Sequence, residues 1–78
     1  LTQKRMKQIE DAFNSDTEKM DAGKLEAASH AVLLMKEGIK ATDYVTLQLA
    51  AEGFAAVDAT AFAATITALN NAVHVLNR

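Results

Sequence analysis

The chain has 78 residues, a net charge of −2 and no cysteine, which bounds it to one small domain and excludes a disulfide framework or a thiolate zinc site. Half of the residues are apolar, but only one Tyr and three Phe are present and Trp is absent. A core of this size and composition supplies no more than about 3–5 kcal/mol unaided, so oligomerisation is an expected source of further stability.

The charge distribution says more than the sum. Residues 1–40 carry seven acids and seven bases, whereas residues 41–78 carry only Asp43, Glu52, Asp58 and Arg78. The first half is a solvated, mixed-charge surface, and the second has few groups to hold it in water. The acidic balance argues against a general nucleic-acid binder. The apolar-leaning uncharged run 59–69, which ends at Asn70 and Asn71, is too short to span a bilayer. The N-terminus is polar with no early apolar block, so no signal peptide is expected, and a cytoplasmic location is the default.

Helical periodicity predicts an all-α, four-helix bundle-like single domain over residues 1–78, with helices at about 2–20, 22–37, 43–52 and 59–77. In the first helix Met6, Ile9 and Phe13 form one stripe, Ala12 lies beside it, and Lys4, Arg5, Lys7, Glu10 and Asp11 lie off it. The segment after Asn14 either continues the helix to Met20 or starts a new turn at a Ser15–Glu18 capping box; the long helix is expected. The acids around Gly23 invite a calcium-loop reading, but in that register Met20 and Ala22 stand at ligand positions and Ser29 at the closing one, so it is rejected.

Asp21 is the expected N-cap of the second helix, with Met20 and Leu25 as a hydrophobic staple. Gly38 is expected just past its C-terminus, followed by Ile39 touching Leu34. Thr42 or Asp43 caps the third helix, with Tyr44, Leu47, Ala51 and Phe54 on one stripe and Val45 and Leu49 on an adjoining one. Gly53 is expected to end it.

The last helix is the most apolar. Asp58 is its expected N-cap, with Val57 and Phe62 as a staple. Phe62, Ile66, Leu69, Val73 and Leu76 recur at helical spacing and are the expected core stripe. A second stripe of mostly small residues, Ala61, Ala64, Ala68, Ala72 and Val75, runs beside it and is the expected self-association surface, in a symmetric homodimer.

Little in the sequence suggests chemistry. His30 follows Glu26 by one turn, and His74 joins Asn70 and Asn71 on the last helix, but no three-ligand spacing is present. There is no nucleophile motif and no phosphate-cradling glycine loop. No catalytic residue, metal or cofactor is expected, and the chain is read as a non-catalytic protein-interaction module: a small adaptor, assembly factor or inhibitor of a larger protein. The alternative is a helix-turn-helix DNA reader built on the helix pair around Gly38, using Lys36, Lys40, Thr42, Thr46 and Gln48. Against it, the third helix has no Arg or Lys to read guanine.

Overall fold

The computed structural model describes residues 2–41 and 43–77, which form five helices and, among the described residues, no strand. The protein is an all-α bundle-like domain. α1 spans Gln3–Thr17, α2 Ala22–Ala27, α3 Ser29–Ala41, α4 Tyr44–Asp58 and α5 Ala63–Leu76.

α1 begins where the Thr2 hydroxyl accepts from the Arg5 backbone N–H at 3.2 Å. It ends at Thr17, short of the expected Met20. The Thr17 hydroxyl donates to the Asn14 carbonyl, a local bond that competes with helix continuation. Asp21 then needs an extended backbone (φ −83°, ψ 170°) to cap α2, where its Oδ1 accepts from the Lys24 backbone N–H at 2.9 Å.

The expected second helix is two helices. Ala28 has ψ near 0° and separates α2 from α3, and it is fully buried. α2 is also tied to the end of α4, because the Lys24 ammonium donates to Asp58 Oδ2 at 2.7 Å.

Gly38 does not end a helix. It lies inside α3, buried against α4; a Cβ there would sit 2.8 Å from Leu47 Cδ2 and 3.1 Å from the Leu47 backbone N. Ile39, expected beyond the helix end, is part of α3 and buried. Gly53 likewise lies inside α4, where a Cβ would be 3.0 Å from the Ala31 Cβ, so α4 runs on to Asp58 rather than ending at 52. These two contacts, Gly38 to Leu47 and Ala31 to Gly53, run in opposite chain directions. α3 and α4 are therefore an antiparallel hairpin held close along its length by two glycines with no side chain in the way.

Asp43 caps α4: its Oδ1 accepts from the backbone N–H of Val45 and Thr46, and its Oδ2 from the Thr46 hydroxyl at 2.8 Å. Asp58 is the last residue of α4 and not the N-cap of the next helix. It still performs the expected chemistry, since its Oδ1 accepts from the Thr60 and Ala61 backbone N–H groups at 3.1 and 3.0 Å. Those donors belong to a separate turn, and α5 begins only at Ala63.

α1 packs on α5, α5 on α4 and α4 on α3. Three phenylalanines cross the centre. The Phe54 ring lies 5.9 Å from that of Phe13 and 4.7 Å from that of Phe62, both pairs tilted. Ile9, Leu47 and Leu69 are fully buried around them.

Candidate functional site

The residues of interest lie on three faces. The first is the small-residue side of α5. Ala72 is fully buried, Ala61 and Ala68 are half-buried, and Ala64 and Val75 are exposed. α1 covers part of this side, and Arg5 and Gln8 border a shallow groove with Ala64, Thr67 and Ala68. The small side chains thus serve, at least in part, the close approach of α1 within one chain. On the expected core stripe Phe62 and Leu69 are fully buried, whereas Ile66, Val73 and Leu76 are half-buried. The innermost line is Phe62, just before α5, and then Thr65, Leu69 and Ala72 of α5, rotated toward α1 from the stripe expected.

Thr65 is the buried polar residue of that line, and no cap or stripe pattern in the sequence marks it. Asp16 reaches across from α1. Its Oδ2 accepts from both the Thr65 backbone N–H and the Thr65 hydroxyl, each at 2.7 Å. Phe62, the residue preceding α5, supplies no side-chain cap. A carboxylate from another helix therefore satisfies the first turn, and its charge suits the positive end of the α5 dipole.

The second face is the outer side of α4. Val45 and Leu49, one turn apart, are each 49% exposed, and Ala56 continues the line. Tyr44 at 38% and Leu33 of α3 at 55% add further exposed apolar surface on the hairpin. The periodicity had set Val45 and Leu49 on their own stripe. What it lacked was any sign that no other helix covers it.

The third face lies between α1 and α3, which pack on other helices and leave a groove of about 480 Å³ lined by Glu10, Phe13, Asn14, Met35, Lys36, Ile39 and Lys40.

The chemistry-bearing side chains do not converge. Glu26 and His30 are both exposed, as are Asn70, Asn71 and His74. Among the described residues no group of three His, Cys, Asp or Glu is placed to hold a metal ion, and no helix is long and apolar enough to cross a membrane. Of the residues expected for DNA reading, Lys36, Lys40 and Gln48 are exposed and Thr46 is half-buried against Asp43; Thr42 lies outside the described residues. The helix pair that would carry them is a long antiparallel hairpin, not the steep crossing of a helix-turn-helix.

Electrostatically, one ion pair stands out. The Lys24 ammonium, hydrogen-bonded to Asp58, holds that carboxyl below its ordinary value, helped by the Ala61 backbone N–H. The same bond raises Lys24. The Thr46 hydroxyl and then the Val45 and Thr46 backbone N–H groups lower Asp43.

No family model, no curated protein and no solved structure matches this chain.

Proposed function

We propose that the protein is a non-catalytic protein-interaction module that acts by presenting a helical surface, as a small adaptor, assembly factor or inhibitor of a larger protein. The observation that carries this reading is the exposed apolar side chains of α3 and α4. Leu33, Val45 and Leu49 stand about half exposed in a chain whose core needs apolar material. Apolar surface left in water on a helix face is a common mark of a protein contact. The lack of cysteine fits a cytoplasmic setting.

Self-association through α5 belongs to the same proposal, on a narrower surface than the full stripe. Ala64, the open side of Ala68 and Val75 are accessible, while Ala72 serves the interior of one chain. Sedimentation equilibrium at high micromolar concentration tests it. A dimer weakened by Ala64→Arg without loss of helicity is expected, and a clean monomer would end this part of the proposal. For the wider reading, capture of a partner from lysate should be lost in Val45→Asp/Leu49→Asp; a partner retained equally by both proteins would remove the α4 face from it. DNA binding that falls steeply with added salt would instead favour the DNA-reading alternative.

A further inference from the structure

The groove between α1 and α3 combines an apolar lining with free positive charge. Phe13, Met35 and Ile39 are its apolar lining. Met35 and Ile39 are core residues, 2% and 8% exposed, so they show the groove only a little surface, to which the half-buried Phe13 adds. Its volume of about 480 Å³ lies in the range of small-molecule pockets.

Lys36 and Lys40 stand one turn apart on α3 at its edge, both exposed. Neither has an ion pair or hydrogen bond among the described residues, where the ion pair present is Lys24 with Asp58. Glu10 is the one acid lining the groove, which leaves an excess of positive charge there in a chain of net charge −2.

We propose that this groove binds a small organic anion with an apolar body, a medium-chain carboxylate. The hydrocarbon lies on Phe13, Met35 and Ile39, and the carboxylate sits between the Lys36 and Lys40 ammonium groups. A neutral or cationic amphiphile would leave both lysines unmatched. This site is separate from the α4 and α5 faces, so it stands or falls independently of the interaction proposal.

The test is a titration of the whole protein with sodium decanoate below its micelle concentration, followed by amide chemical shifts. Saturable shifts at Phe13, Met35 and Ile39 are expected, with a dissociation constant below about 1 mM. The Lys36→Gln/Lys40→Gln protein should bind about tenfold more weakly, as two exposed charge contacts allow. Both lysines are exposed, so this variant keeps its fold, and circular dichroism checks that it has. Decyltrimethylammonium is the control and should bind at least as weakly to the unmodified protein. Shifts that do not saturate, or that map to Val45 and Leu49, overturn the proposal. So does unchanged affinity in the double variant, or equal binding of the cationic amphiphile.

Discussion

The Asp16 carboxylate of α1 and Thr65 of α5 are joined by two 2.7 Å hydrogen bonds through one oxygen, across 49 residues of sequence. Thr65 is fully buried, so neither its N–H nor its hydroxyl can turn to water. Replacing Asp16 with Ala should leave both donors without a partner and destabilise the domain by about 2 kcal/mol, the sum of a lost cap and incomplete satisfaction of buried donors. Asp16→Asn keeps an acceptor oxygen and should cost less. Urea denaturation measures both, and an Asp16→Ala midpoint equal to that of the unmodified protein would show that the contact carries no stability.

The three glycines should respond in opposite ways to the same substitution. Gly23 sits in the first turn of α2, and a Cβ there meets only Asp21 Oδ1 at an ordinary 3.5 Å. Gly23→Ala should therefore stabilise by about 0.5–1 kcal/mol through helix propensity and a less free unfolded chain. At Gly38 the Cβ meets the Leu47 side chain at 2.8 and 2.9 Å and its backbone N at 3.1 Å. The hairpin must open, and a net loss of about 1–3 kcal/mol is expected despite the same propensity gain. Gly53→Ala should fall between them, since only the Ala31 Cβ is close. Thermal unfolding of the three variants gives the order directly; Gly38→Ala melting higher than the parent would contradict the packing role assigned here.

Those glycines also show what the sequence can and cannot reveal. Caps are local: Asp21 and Asp43 bind donors two or three residues ahead, and their chemistry was legible. Asp58 was legible in its donors but not in its consequence, because a capped turn need not continue into a helix. A glycine that ends a helix and one that lets two helices touch look alike in a string of letters. Gly38 is explained only by Leu47 and Gly53 only by Ala31, both on the other helix of the hairpin. The Asp16 cap is further still from its target. For the α5 surface, the periodicity identified a wide apolar arc, and the placement of α1 decided which of its residues stayed accessible. The α1–α3 groove is a gap between elements and has no sequence signature.

Stability should fall at both ends of the pH scale, partly through one contact. Asp58 has a folded-state value below its ordinary 3.8, chiefly because of the Lys24 hydrogen bond and then the Ala61 backbone N–H. A carboxyl depressed by folding contributes stability that is present above its unfolded value and is lost as pH falls through the folded one. Asp43, lowered by the Thr46 hydroxyl, acts in the same direction. Lys24 is raised above 10.5 by Asp58, so its contribution is present below that value and fades as pH rises past it. Asp58→Asn should flatten the acid limb below about pH 4 and remove the alkaline dependence tied to Lys24. Melting temperatures of the two proteins from acid to alkaline pH check this, and parallel curves would show that Asp58 does not couple to folding.

Phe54 should be the least replaceable side chain. It is fully buried at the middle of the aromatic trio, with ring centroids 4.7 Å from Phe62 and 5.9 Å from Phe13. It therefore joins α1, α4 and the turn that leads into α5. Phe54→Ala removes the ring's transfer free energy and both ring contacts, and leaves a cavity that the short neighbours Ala50 and Ala51 cannot fill. The cost for such a site is about 3–5 kcal/mol, comparable with all the stability a core of this size supplies. The variant should be largely unfolded at 25 °C. Phe54→Leu keeps part of the volume and should fold with a lowered melting temperature. Phe13 lines the α1–α3 groove and is only half-buried, so Phe13→Leu should cost least of the three. Far-ultraviolet circular dichroism ranks them: a well-folded Phe54→Ala protein would mean that the three rings do not form the centre of this core.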